Sequence, residues 1–146
     1  MPDAYCYQEL GRLLVSVCRL HHTRANQSMD KIGLYRGQAR LLMALSEQDG
    51  LSHSEIAARL EVSPAAVSKV IKRMEEANYV QRQADPADER VSRVYLQAQG
   101  QALVAEIRGA FGQLDRTMLD GLPEPDLIRL RDLLTRMQAN LLRFEP

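Results

Sequence analysis

The chain contains no tryptophan, only two phenylalanines and two cysteines, and no excess of either charge, with 19 Lys plus Arg against 19 Asp plus Glu. Two thiols, Cys6 and Cys18, cannot build the disulfide framework of a small secreted scaffold, so a reducing, cytoplasmic setting is expected. No apolar run approaches the roughly 18 residues that cross a bilayer, and the start Met1-Pro2-Asp3-Ala4 lacks the basic and apolar regions of an export signal. No membrane association is expected. Charge balance excludes bulk attraction to a polyanion, so any such partner must meet charges gathered on one face. The only histidines, His21, His22 and His53, fall in no metal-ligand spacing, and there is no Gly-rich phosphate loop or nucleophile elbow. The chain is therefore expected to have no catalytic residues, no metal and no cofactor. Its 146 residues suit one domain, or a small domain framed by helices that need a partner.

What is present is mostly helical in pattern. Leu10, Leu13, Leu14, Val17 and Leu20 recur at helical spacing and predict a long amphipathic helix from Tyr7 to about Asn26, closed by the break Asp30-Lys31-Ile32-Gly33. A shorter helix is expected over Tyr35 to Ser46, ended by Asp49-Gly50. In "LSHSEIAARL", Ser52 and Glu55 stand as a capping box, with Leu51 and Ile56 in the flanking positions of a hydrophobic staple. A helix should start at Ser52 or His53 and run to about Leu60. The device then repeats: Ser63 can cap, Pro64 fits a first turn, and Val62 with Val67 forms a second staple. Two capped helices separated by about three residues make a helix-turn-helix.

From Tyr79 the period falls to two. The runs Tyr79 to Gln83 and Ser92 to Leu96 read as a β-hairpin with a polar tip from Ala84 to Val91. Helical spacing returns in Leu103, Ile107, Leu114 and Met118, and after Gly121-Leu122-Pro123 in Leu127, Leu130, Leu134, Met137 and Leu141, a coiled-coil-like seam.

The helix that begins at Pro64 has two unlike faces. On a helical wheel Val70, Ile71 and Met74 lie within about 60° of Val67, while Ala65, Lys69, Lys72 and Arg73 lie opposite, with Ser68 at the edge. Small side chains near the start permit close approach to a major groove. The hydroxyl can meet base edges, and the longer cations reach bases or phosphates. A solvated basic face would carry the same pattern, but the preceding helix and the hairpin with Arg90 at its tip favour binding.

The hairpin "DPADERVSRVYL", with Asp88 and Arg90 as an Asp-x-Arg pair, and the segment "SEIAARLEVSPAAVSKVIKRMEEANYVQR" resemble the MarR family of bacterial winged-helix regulators, and the resemblance spans nearly the whole chain. It implies a mainly α fold with a small β-wing. A winged helix-turn-helix DNA-binding domain at 33–97 would be flanked by an N-terminal dimerisation helix at 1–32 and C-terminal dimerisation helices at 98–146. The implied DNA-contacting residues are Ser63, Pro64, Ala65, Ala66, Ser68, Lys69, Lys72, Arg73, Asp88 and Arg90, with Arg90 in a minor groove and Asp88 holding it through an ion pair. Where the family carries Leu-Thr-x-x-Gly after the wing, this chain has Leu96-Gln97-Ala98-Gln99-Gly100; Gln97 is a poorer cap than Thr.

The terminal helices carry more apolar surface than a small winged domain covers within one chain, which predicts a homodimer reading a pseudo-palindromic double-stranded operator, with a closed monomeric bundle as the alternative. Relatives of this family bind small, often phenolic or aromatic effectors, for which His21, Arg24, Tyr35 and Met43 would line the cleft, or sense oxidants through cysteine. Cys18, beside Val17, is expected to be buried and inert. Repression is the expected output, and a protein-interaction module is the remaining alternative.

Overall fold

The structure, a computed structural model, describes residues 4–145; the first three residues, on which the export reading partly rests, and Pro146 lie outside it. Helix α1 spans Ala4–Ile32 and extends beyond both ends of the expected helix, because no residue breaks it before Gly33, which turns the chain at φ 78°. Helix α2 spans Arg36–Glu47. The order then continues with β1 (Leu51–Ser52), α3 (His53–Leu60), α4 (Pro64–Glu76), β2 (Val80–Ala84), β3 (Ser92–Leu96), α5 (Ala98–Met118) and α6 (Glu124–Leu142). The fold is mainly helical with a small antiparallel wing.

Both predicted caps form. Ser52 Oγ accepts the Glu55 amide at 3.2 Å while the Glu55 carboxylate accepts the Ser52 amide at 2.7 Å, and Ser63 Oγ accepts the Ala66 amide at 3.2 Å. The first staple closes, with Leu51 and Ile56 both buried. At the second, Val67 is buried and Val62 is 39% exposed. Between the two helices Glu61 adopts a left-handed conformation at φ 52°, and the Val62 amide reaches back to the Ala57 carbonyl at 3.2 Å, which ends α3 sharply. Asn78, at φ 60°, ends α4 in the same way, with the Tyr79 amide on the Met74 carbonyl.

The sheet has the order β1-β3-β2, and β2 pairs with β3 from Val80 opposite Leu96 to Ala84 opposite Ser92. Strand β1, absent from the sequence reading, pairs Leu51 with Val94 and Ser52 with Arg93. The core joins Leu41, Leu42 and Leu45 of α2 to Ile56, Val67, Ile71, Met74, Val80 and Val94, and receives Leu103, Val104 and Ile107 from α5 and Met29 from α1. The weak cap at Gln97 does not delay α5, which starts at Ala98. A Cβ on Gly100 would lie 2.1 Å from the Tyr79 carbonyl oxygen, and that oxygen accepts the Gln97 amide at 3.0 Å. Close backbone packing sets the start of the helix in place of a side-chain cap.

The chain divides into two compact units, the first ending at Leu114 and the second beginning at Asp115. In the second, α6 has no buried residue, and Leu134, Met137, Leu141, Leu142 and Phe144 are all exposed. Along the N-terminal half of α1, Leu10, Leu13, Val17 and Leu20 are likewise exposed.

Candidate nucleic-acid interface

Helix α4 presents the two faces expected of it. Val67, Ile71 and Met74 are buried and Val70 packs partly against the core. Ser63, Pro64, Ala65, Ser68, Lys69, Lys72 and Arg73 are exposed, and Ala66 is half-buried. The first turn therefore offers small side chains and open helix-end amides, and the cations follow one and two turns later, the arrangement that suits a duplex groove flanked by phosphates. Lys72 lies 4.0 Å from Glu76 in an exposed i,i+4 pair, an interaction too weak in water to withhold it from a phosphate. Lys69 and Arg73 form no ion pair among the described residues.

The wing tip is made by two aspartates bonding to nearby backbone. Asp85 Oδ1 accepts the Ala87 amide at 2.7 Å, Asp88 Oδ1 accepts the Arg90 amide at 3.1 Å, and the Asp85 amide closes on the Val91 carbonyl at 2.8 Å. This corrects the expected ion pair. Asp88 binds the Arg90 main chain and not its guanidinium, because a carboxylate two residues upstream reaches the amide in an Asx turn before it can reach the end of a long side chain. The Arg90 guanidinium stays exposed at the tip and makes no ion pair among the described residues.

Two arginines that the sequence reading passed over tie this wing to the helices. Arg82 of β2 donates from Nε at 2.9 Å to Glu75 of α4, and its Nη2 lies 2.6 Å from the same oxygen. That contact holds the Glu75 carboxyl below its ordinary range and pushes Arg82 up. Arg93 of β3 donates from Nε to Asp85 and from Nη1 to the Gly50 carbonyl at 2.9 Å and to Glu55 at 3.3 Å. Glu55 is held below the usual carboxylate range chiefly by the Ser52 amide, and Asp85 chiefly by the Ala87 amide, with Arg93 contributing to both. The only sequence signal for either arginine is a cation inside an alternating strand run.

The four candidate ligand residues occupy different settings. His21 of α1 faces Phe111 of α5 with ring centroids 6.5 Å apart, and Arg24 donates to Gln27 at 2.9 Å on its own helix. Tyr35 precedes α2 with its side chain exposed. Met43 lines a shallow depression with Arg40, Glu47 and Arg59, to which the other three do not contribute. Cys18, expected to be buried, is exposed, because nothing in the first unit covers that part of α1; Cys6 is exposed as well. No group of three or more potential metal ligands is found among the described residues, and no described helix is long and apolar enough to cross a membrane.

Residues 34–92 match the MarR family. Over 131 residues the chain is 27% identical to the HTH-type transcriptional repressor Rv2887 of Mycobacterium tuberculosis, covering 90% of this chain and 94% of that protein. It is 28% identical to the HTH-type transcriptional repressor MdtR of Bacillus subtilis over 76% of this chain and 72% of that one. Among solved structures, a MarR family protein from Bacillus stearothermophilus superimposes with a TM-score of 0.86 at 17% identity, covering 98% of this chain and all of the other. A mutant MepR from S. aureus bound to an oligodeoxyribonucleotide superimposes with a TM-score of 0.67 at 24% identity, over 96% of this chain and 99% of that one.

Proposed function

Because the chain belongs to the MarR family of winged helix-turn-helix transcriptional regulators, we propose that it acts in the cytoplasm as a homodimeric repressor of a pseudo-palindromic operator and is released by a small, aromatic or phenolic ligand. The observation that carries DNA binding is the outward face of α4, small at Ala65 and Ser68 and cationic at Lys69, Lys72 and Arg73, standing beside a wing whose exposed Arg90 guanidinium makes no ion pair among the described residues. In this reading α4 enters a major groove and Arg90 the neighbouring minor groove, where the negative potential of a narrow groove favours a guanidinium. Repressors among the relatives, and the DNA-bound MepR structure, support the assignment.

Residues 33–97 serve as the reading domain, and 1–32 with 98–146 as the dimerisation segments, whose exposed apolar faces on α1 and α6 support pairing with a second chain. For the effector, the support is the aromatic contact between His21 and Phe111, which joins α1 to α5. Proteins of this family regulate transcription and are not enzymes.

A footprint on the DNA flanking the protein's own gene should show a two-fold protected site. For about eight phosphate contacts, log K should fall against log salt with a slope of about −7. A salt-independent affinity, or no protected site, overturns the reading.

A further inference from the structure

We infer that Arg93 is a positioning residue for DNA recognition, a single cation that sets where the wing tip stands relative to the helix-turn-helix; this rests on the DNA-binding reading above. Its guanidinium meets three acceptors from separate parts of the chain. These are Asp85 at the base of the wing tip, the Gly50 carbonyl in the turn before β1, and Glu55 in the first turn of α3.

Each of those acceptors is itself committed. Glu55 is the capping partner of Ser52, so its carboxylate is fixed to the start of the helix-turn-helix. Asp85 holds the Ala87 amide, and its own amide holds Val91, so its carboxylate is fixed to the loop that presents Arg90. Arg93 closes the gap between these two rigid pieces. A planar fork with donors pointing in different directions can satisfy all three acceptors at once, which the point charge of a lysine cannot do.

The wing sheet is thus fastened on both faces. Arg82 and Arg93 project to opposite sides, since Arg82 pairs with Val94 and Arg93 with Gln83. Arg82 ties β2 to the end of the reading helix, and Arg93 ties β3 to the start of the helix before it. Without Arg93, two carboxylates held in place by their amide bonds would face each other with no cation between them. Repulsion would then swing the wing tip away from the position in which Arg90 reaches a groove.

The experiment is a double-substitution cycle in the full chain on its operator, using Arg93→Ala, Arg90→Ala and the pair. Arg93→Ala should weaken binding roughly tenfold or more, and the pair should bind about as weakly as Arg90→Ala alone, because both remove the same contact. Losses that simply multiply would make Arg93 an independent phosphate contact and overturn the inference, as would wild-type affinity in Arg93→Ala. Hydrogen exchange without DNA supplies a second measure: the Asp85 and Val91 amides should lose protection in Arg93→Ala while those of α4 keep theirs. Unchanged exchange at the wing also overturns it. A wild-type protein that binds no operator would instead remove the DNA reading, and the exchange result would still decide whether Arg93 holds the wing.

Discussion

The winged lobe and the chain's two ends handle the same kind of residue in opposite ways. From α2 to β3 the large apolar side chains close on one another, with Leu41, Leu42, Ile56, Ile71, Met74 and Val94 all inaccessible to solvent. In α6 not one residue is buried, although its leucines are spaced as regularly as those of any core helix. A helix gains most of its stability from packing an apolar face, and α6 covers its own only in part, at Leu127 and Leu130. The lobe encloses its apolar side chains, and the ends leave theirs open.

The strongest way to break this contrast is to charge the open surface. Leu134→Asp combined with Leu141→Asp should convert the protein to a species of one-chain mass in sedimentation and reduce operator affinity by about a hundredfold, since one lobe then binds without the help of a second. Lobe stability should hardly change. If the doubly charged protein sediments as the wild type does, the ends are not an interface.

Within the lobe, Ile71→Ala should cost about 3 kcal/mol in denaturant unfolding, because a fully enclosed side chain leaves a cavity its neighbours only partly fill. Its sedimentation should match that of the unsubstituted chain. A loss under about 1 kcal/mol would mean that the lobe is looser than its burial implies. The smallest effect should come from the cap of the reading helix: Ser63→Ala removes the acceptor for the Ala66 amide and should cost about 1 kcal/mol. Comparing its operator affinity with its stability would sharpen the picture, because a cap that only starts the helix should lose both in proportion.

Much of this fold was legible because its signals are local. A Ser three residues before a Glu, a Pro just after a Ser, and an alternating run bounded by Asp-Pro specify caps and strands within a few positions. Strand β1 was not legible, since two residues become a strand only by meeting Val94 and Arg93 some forty positions away. The importance of Arg93 was hidden for the same reason: its acceptors Gly50 and Glu55 are 43 and 38 residues distant. Asp88 and Arg90 are joined through the Arg90 amide and not by the ion pair that the resemblance implies. The exposure of Cys18 is not legible in the sequence, because periodicity shows which side of a helix is apolar and not whether anything lies against it.

The bare Cα of Gly100 has a mechanical meaning. With the Tyr79 oxygen lodged where any side chain would begin, and that oxygen also gripped by the Gln97 amide, the root of α5 is seated in the exit of the wing with no slack. Any side chain larger than hydrogen at position 100 would push the start of α5 off the strand entry it leans on.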